Sequence, residues 1–176
     1  MLYDLSGGAA LETQGAATQP LAEGAGAFVP AGHEVTISAS ASEPAELLLF
    51  VLTARPNQKP PLERPAAVKE WYRTGDPLPG LQAGAYDFAL VRLTFPAGMP
   101  ASPPHYRTGA ALTYVVSGNG SLTAEGKTEP MSAGMAMVSP AGWFHQWANP
   151  GDTPFVVVQA NISQEGAPAV VPEPAR

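Results

Sequence analysis

The chain has 176 residues, a formal charge of −6, a pI of about 4.9 and no cysteine. The lack of cysteine excludes disulfides and thiolate catalysis, and without a basic cluster longer than two residues we expect no nucleic acid partner. No apolar stretch approaches the roughly 20 residues of a membrane span, and the N-terminus lacks the basic and apolar regions of a signal peptide. We therefore expect a soluble, cytoplasmic protein without a membrane partner.

Residues 1–55 are predicted to form short strands, because glycine and proline recur between apolar runs. Turns are expected at Ser6-Gly7-Gly8 and at Pro30-Ala31-Gly32. Residues 34–39 alternate between polar and apolar types, and residues 46–53 have the composition of a buried strand.

This N-terminal segment resembles a later part of the chain. YDLSGGAALETQG matches YVVSGNGSLTAEG at a shift of 111, and PLAEGAGAFVPAG matches PMSAGMAMVSPAG at a shift of 110. One residue inserted in a turn reconciles the shifts, so we predict an internal repeat; the alternative is that glycine-rich hairpins look alike. The second shift places Val35, and not His33, on His145, so we interpret His33 as a surface or turn residue.

Residues 56–84 are predicted to be a proline-rich connector. Its PNQKPP run favours an extended conformation. A short helix is expected over residues 65–73, with proline in its first turn and its end near Gly75. We expect Trp71 and Tyr72 to cover the edge of a core rather than to bind a ligand.

Residues 85–165 are predicted to form a complete all-β unit. AYDFALVRLTF alternates like a strand, residues 121–131 suit a hairpin around Glu125-Gly126-Lys127, and PFVVVQANI suits a buried strand. The remaining residues, 166–176, are expected to be a loose tail.

The most specific motif in this unit is G-x5-P-x-G-x2-H-x3-N, formed by Gly134, Pro140, Gly142, His145 and Asn149. It resembles the second motif of the cupin family at every defined position. The resemblance implies a small jelly-roll barrel in which His145 points inward, where most relatives place a metal ligand.

We accordingly predict a cupin jelly-roll barrel over residues 85–165. Residues 1–55 would be a partial cupin-like repeat that lacks the half carrying a first motif, because Met1 falls opposite Leu112. Such a half-barrel leaves strand edges unpaired. We expect those strands to pack on the barrel or on a partner subunit, unless the true start lies upstream, and we expect a homodimer.

HYRTGAALTYVVSGNG resembles the first cupin motif, H-x-H-x3-4-E-x6-G, but departs from it at two ligand positions. Counting back from Gly118, the resemblance places the three ligand positions at His105, Arg107 and Ala111. Of the four ligands that the family implies, only His105 and His145 remain, so the metal site is degenerate.

Two histidines are too few for a catalytic metal, which usually has three protein ligands. Arg107 would also place a fixed positive charge beside the cation, at a cost of several kcal/mol if they lie about 5 Å apart. We expect no cofactor. If there is one, it would be Fe, Mn, Ni or Zn on His105 and His145, with Gln159 or water completing the site.

Because side chains alternate along a strand, His105 and Arg107 should face inward together. So should Trp143, His145 and Trp147, and across the turn Ala111, Thr113 and Val115. Arg107 suits a carboxylate or phosphate, and the tryptophans could stack on a planar or sugar-like ligand. Alternatively, the tryptophans are ordinary core and Arg107 pairs with an internal acid. The candidate ligand-binding residues are Arg107, Trp143, His145 and Trp147.

Three functions follow from this site. The first is a metal-poor barrel that binds a small, anionic molecule. The second is a metal-dependent cupin enzyme, a dioxygenase or isomerase, using His105 and His145; no inward carboxylate in either motif supplies its acid-base group, and its catalytic residues stay unknown. The third is a structural or interaction protein whose barrel is filled by its own side chains. We favour the first and leave open whether the protein is an enzyme.

Overall fold

The structure is a computed structural model that describes residues 1–13, 17–40, 43–53, 67–74, 78, 81 and 83–174. The chain divides into two compact units, Met1–Pro60 and Pro61–Arg176, called here the N-terminal unit and the C-terminal unit. Both are built from antiparallel strands, so the predicted all-β class is confirmed. No helix in the described residues is long and apolar enough to span a membrane.

The N-terminal unit consists of two three-stranded sheets. One has the order β4-β1-β6 and the other β3-β2-β5. The strands are β1 (Leu2–Ser6), β2 (Ala9–Thr13), β3 (Gln19–Leu21), β4 (Gly26–Ala27), β5 (Val35–Ala39) and β6 (Glu46–Leu49). Their apolar side chains form a core of their own, centred on Leu2, Ala9, Leu11 and Leu21.

The C-terminal unit is a jelly roll of two sheets, as predicted. Their orders are β12-β9-β14-β7 and β11-β10-β13-β8-β15. The strands are β7 (Tyr86–Phe95), β8 (His105–Arg107), β9 (Ala111–Ser117), β10 (Asn119–Ala124), β11 (Lys127–Ser132), β12 (Ala136–Ser139), β13 (His145–Ala148), β14 (Phe155–Gln164) and β15 (Val170–Pro172). The predicted hairpin is β10-β11, and the predicted buried strand is β14, which is buried along nearly its whole length.

Strands β1 to β6 pair with the same registers as β9 to β14 once the two sequence shifts are applied. Tyr3 opposite Leu48 corresponds to Tyr114 opposite Val158. Likewise, Leu11 opposite Ile37 corresponds to Leu122 opposite Trp147. Similar glycine-rich hairpins alone would not fix registers between strands so far apart in sequence. The strand pairing in the N-terminal unit therefore agrees with the sequence shifts of 110 and 111. The description of residues 1–55 as a partial cupin-like repeat stays a prediction.

One glycine contact recurs in both units. Gly118 has φ +78°, and a Cβ built on it would lie 2.2 Å from the carbonyl oxygen of Pro154. Gly7 has φ +87°, and its Cβ would lie 2.5 Å from the carbonyl oxygen of Pro44. Any side chain at either position would meet both an unfavourable backbone conformation and a backbone atom.

The helix predicted over residues 65–73 is wrong in its described part. Residues 67–74 belong to no helix or strand, and residues 65–66 lie outside the described residues, as does the PNQKPP run. Val68 is 67% exposed and Trp71 is 43% exposed, so this segment buries no continuous apolar stripe that would stabilise a short helix. Trp71 does cover a core edge, because its ring meets Tyr114 edge-on with centroids 5.6 Å apart.

The tail is more ordered than predicted. β15 pairs with β8 and sets Val170 opposite Arg107 and Pro172 opposite His105. The amide of Glu173 also donates to the carbonyl of Pro104 at 2.8 Å. Without this strand β8 would present an unpaired edge, so backbone hydrogen bonding accounts for the order of the tail.

Candidate functional site

The interior of the C-terminal unit has an apolar end and a polar end. Residues paired directly across antiparallel strands share a face, so the registers assign the inward positions. Phe155 and Val157 of β14 lie at the apolar end, where they pack with other buried residues of both sheets. That cluster comprises Val115, Leu122, Met131, Trp147, Phe155 and Val157, with Leu93, Phe95, Met137 and Trp143 against it.

The polar end begins one step further along the same strands. Gln159 follows Val157 on the inward face of β14 and pairs with Thr113, and Asn161 comes next and pairs with Ala111. Ser139 of β12 flanks Ala111 on its other side. Four of these residues are polar, and all of them are buried.

The second motif places His145 at the start of β13. The amide of Trp143 approaches the carbonyl of Pro140 at 3.3 Å and closes the turn, and Gly142 adopts φ +75°. Trp143 and Phe144 lie between this turn and β13, so the strand that was expected to turn Trp143, His145 and Trp147 inward begins only at His145.

Asn149 anchors the other end of the motif. Its amide nitrogen Nδ2 lies 3.0 Å from the carbonyl oxygen of Phe95 and 2.8 Å from that of Thr153. Its Oδ1 accepts from the amide of Gly151 at 3.1 Å. The motif asparagine therefore ties the loops around β13 together through backbone groups, and it does so while fully buried.

His105 and His145 lie directly opposite each other on β8 and β13, with ring centroids 4.6 Å apart. Each Nδ1 is bonded to a carbonyl oxygen, that of Pro103 at 3.0 Å for His105 and that of Trp143 at 2.9 Å for His145. Because a carbonyl only accepts, the proton of each neutral ring is assigned to Nδ1 and the lone pair to Nε2. The Nε2 of His145 is buried and has no hydrogen-bond partner among the described residues.

The pKa of His145 is lowered to about 4, chiefly by burial. The bond to the Trp143 carbonyl opposes this shift, and the neighbouring groups His105 and Arg107 contribute to it. The imidazole is therefore neutral at pH 7. It offers the site an acceptor and no charge.

Arg107 is buried, with 7% of its surface exposed, and faces the polar end as predicted. Its Nη2 donates to the Oε1 of Gln159 at 2.6 Å, and the Nε2 of Gln159 donates to the hydroxyl of Thr113 at 3.0 Å. Burial lowers the pKa of Arg107, yet the guanidinium stays protonated. Its Nε has no partner in the described part of the chain.

The structure contains no ion pair of Arg107 with a carboxylate within the described ranges. The alternative expectation was that Arg107 pairs with an internal acid. Its partner is instead the neutral amide of Gln159. No carboxylate among the described residues therefore neutralises the charge of Arg107.

The two predicted tryptophans lie in different surroundings. Trp143 is half-buried and stacks on His145, with centroids 5.3 Å apart and planes 25° apart. Trp147 is 2% exposed and stacks on Phe95 within the apolar cluster. Trp143 is therefore placed beside the polar end, whereas most of Trp147 is core.

Two polar residues of the interior escaped sequence reasoning. Ser139 is 1% exposed and Asn161 is 4% exposed, and neither Ser139 Oγ nor Asn161 Oδ1 has a partner among the residues the structure describes. They flank Ala111, the position at which the family pattern has a glutamate. Neither residue occupies a ligand position of a motif. Their place in the interior follows only from the registers of β9, β12 and β14.

A surface groove of about 210 Å³ adjoins Trp143. It includes Lys127 and Glu129, charged residues of β11 whose cross-strand partners Ala124 and Leu122 lie on the inward face of β10. The complete lining comprises Leu122, Ala124, Glu125, Lys127, Glu129 and Trp143. These exposed charges were also missed, because β11 was predicted only as part of a hairpin.

The donor set does not fit the metal that the fold family implies. The equivalent positions offer the imidazoles of His105 and His145, the guanidinium of Arg107, which has no lone pair to donate, and the methyl group of Ala111. A catalytic metal usually needs three protein ligands. No group of three or more His, Cys, Asp or Glu side chains suited to a metal occurs within the described ranges.

Comparison with known families agrees with this architecture. The model of the cupin domain family matches residues 91–160, a stretch that includes both motifs and both histidines of the site. Residues 91–160 of this chain are a cupin domain. The predicted resemblance is thereby confirmed, and the C-terminal unit contains the cupin domain.

Solved structures with this fold share little sequence with the chain. The DMSP lyase DddQ of Ruegeria pomeroyi is 22% identical over 50% of this chain and 45% of its own, with a TM-score of 0.43. A Klebsiella pneumoniae protein with a double-stranded β-helix domain is 20% identical over 57% and 90%, with a TM-score of 0.43. A cupin-like protein of Thermotoga maritima is 20% identical over 49% and 64%, with a TM-score of 0.42. This chain thus spans less than half of the lyase, and no curated protein matches its sequence.

Proposed function

We propose that the cupin domain binds a small organic anion at Arg107 and does so without a metal. The observation that carries this proposal is the buried guanidinium of Arg107, whose bonded partner is the neutral side chain of Gln159. A buried charge without a counter-charge is costly. A carboxylate or phosphate on the free Nε edge would relieve that cost through charge-assisted hydrogen bonds.

The other candidate residues have distinct roles in this proposal. Trp143 would cover one side of the ligand, because its ring already stacks on His145 beside the polar end. His145 would accept a hydrogen bond at Nε2. Trp147 would close the inner side of the site, with its unpartnered Nε1–H as a further donor.

Two observations weigh against the other functions. A metal-dependent dioxygenase or isomerase would need more donors than the imidazoles of His105 and His145. A barrel filled by its own side chains would have its interior polar atoms paired, yet Arg107 Nε, Ser139 Oγ, His145 Nε2 and Asn161 Oδ1 have no partner in the part of the chain that the structure describes.

The test is calorimetric titration of the full chain with small carboxylic acids and with inorganic phosphate. Replacing Arg107 by methionine should weaken the binding of every anion that the wild type binds by at least about tenfold, since a hydrogen bond to a charged group contributes about 1.5–3 kcal/mol. Arg92→Met is the matched control, because Arg92 is an exposed arginine on β7. Equal affinities of Arg107→Met and wild type would refute the proposal.

We also propose that the protein is a cytoplasmic homodimer. In the N-terminal unit, β5 and β6 are end strands of their three-stranded sheets. Leu49, Val51 and Leu52, at and after the end of β6, are at least 40% exposed. Exposed apolar strand edges favour pairing with another strand, and sedimentation velocity with Leu49→Lys would measure whether a dimer forms through this edge.

A further inference from the structure

Ser139 and Asn161 form a polar niche on either side of Ala111, at the polar end of the barrel. Both residues pair directly with Ala111, so all three face the interior from adjacent strands. Ala111 presents only a methyl group between them. We call Ser139, Ala111 and Asn161 the niche.

The unpartnered atoms at the polar end require a ligand that offers both hydrogen-bond donors and hydrogen-bond acceptors. Arg107 Nε–H can only donate, whereas His145 Nε2 and Asn161 Oδ1 can only accept, and Ser139 Oγ can do either. These four residues are all at least nine-tenths buried, with exposed fractions from 1% to 7%. Unmet buried groups of this kind penalise a ligand that lacks the complementary atom.

A simple anion meets only part of this demand. Acetate supplies acceptors for Arg107 but no hydrogen for His145 Nε2 or Asn161 Oδ1. An ammonium group would supply hydrogens, but it would place a second positive charge near Arg107. A hydroxyl group donates one hydrogen, accepts another and carries no charge.

We infer that the ligand is a hydroxycarboxylic acid, with its carboxylate on Arg107 and its hydroxyl groups bound by His145 and the niche. This inference rests on the proposed anion-binding function and adds the chemical class of the ligand. Ser139 and Asn161 thereby become specificity-determining residues. The carboxylate and the hydroxyl are read by different side chains, so the two parts of the inference can be tested separately.

The experiment compares acids that differ by one hydroxyl group, by calorimetry on the full chain at pH 7. The pairs are lactate with propionate and malate with succinate. For the wild type, the hydroxy acid of at least one pair should bind at least about tenfold more tightly than its partner. In Ser139→Ala and in Asn161→Leu this preference should fall to less than about threefold.

The outcomes separate this inference from the function on which it rests. If Arg107→Met loses affinity for the acids but the wild type binds both members of each pair equally, anion binding stands and the hydroxy acid is wrong. A hydroxyl preference that survives both niche variants also overturns the role of the niche. If Arg107→Met binds every anion like wild type, both fail. If none of the four acids binds but inorganic phosphate does, anion binding stands and the hydroxy acid is wrong. Ser139→Ala removes only an unpartnered hydroxyl, so it keeps the test valid should Asn161→Leu not fold.

Discussion

Arg107 donates a hydrogen bond of 2.6 Å to Gln159, and this bond joins β8 of one sheet to β14 of the other across the polar end of the cupin barrel. The pair brings a charged donor and a neutral acceptor together in a buried place. The amide of Gln159 orients the guanidinium without neutralising it. The charge consequently remains available to a ligand.

Gln159→Glu should prevent the charge of Arg107 from pairing with an anionic ligand. A carboxylate at this position would neutralise Arg107 from within, so we expect anion affinity to fall at least about tenfold, while stability is kept because the charges pair with good geometry. Calorimetry with lactate and thermal unfolding would measure the two effects. Gln159→Met is the control, since it removes the acceptor and leaves the charge unpaired, and it should lower stability while keeping a higher anion affinity than Gln159→Glu. Wild-type affinity in Gln159→Glu would contradict the role given to Arg107.

Restoring the family's ligand set should create a metal site. In the double variant Arg107→His with Ala111→Glu, a third imidazole and a carboxylate would join His105 and His145, which gives the number of donors that a catalytic site requires. We expect Zn²⁺ or Ni²⁺ to bind the double variant at least about 100-fold more tightly than wild type.

Elemental analysis of protein purified without chelators, followed by calorimetry, would measure this gain. Ala111→Glu alone is the matched control and should bind little metal, because Arg107 stays beside the site. Near-stoichiometric metal in wild type that disappears in His145→Ala would show instead that two histidines and other ligands suffice.

His145 should make the protein less stable in mild acid. Its pKa is near 4 in the folded protein and about 6.5 in an unfolded chain, so the unfolded state binds a proton first as the pH falls. Stability from this group is complete above pH 6.5 and declines by up to about 3 kcal/mol as the pH falls toward 4.

Urea unfolding of wild type and His145→Gln at pH 7 and pH 4.5 would isolate the effect, because other groups titrate alike in both proteins. The stability of wild type should decrease more steeply than that of the variant. Equal decreases would mean that His145 titrates normally in the folded protein.

Gly118 and Gly126 offer a matched test of the close backbone contact. Both have positive φ, +78° and +75°, but only at Gly118 would a Cβ meet another residue, the Pro154 carbonyl at 2.2 Å. Gly126→Ala should cost about 1 kcal/mol through backbone conformation alone, whereas Gly118→Ala should cost about 3 kcal/mol or more. Urea unfolding would give both values, and similar costs would show that β9 and the start of β14 can move apart.

Much of the fold was predictable because the informative residues lie close together in sequence. The spacing of Gly134, Pro140, Gly142, His145 and Asn149 indicated a cupin hairpin, and alternation correctly placed Arg107 and His145 inside. The connector and the tail were not predictable in this way. The helix signals in residues 65–73 were not sufficient, because the described part of this segment, residues 67–74, buries no continuous apolar face. The tail forms β15 because β8 offers it an edge.

The site was only half predictable for a similar reason. His105, Arg107 and His145 occupy motif positions, and Gln159 was considered only as a residue that could complete a metal site. Ser139 and Asn161 reach the interior through strand pairing over long sequence separations. Alternation along one strand cannot say which residue lies across from it. The neutral partner of Arg107 and the niche beside Ala111 therefore required the registers of β9, β12 and β14.

The stacked rings of Phe95, Trp147 and Phe155 give the barrel a solid floor. In the proposed binding mode, Gln159 and Thr113 lie between the ligand and these rings, so the inner end of the ligand would be short. Trp143, which stacks on His145, would then lie beside the outer part of the ligand. The protein would thus recognise a ligand by its buried end and tolerate variation in the part that remains outside the barrel.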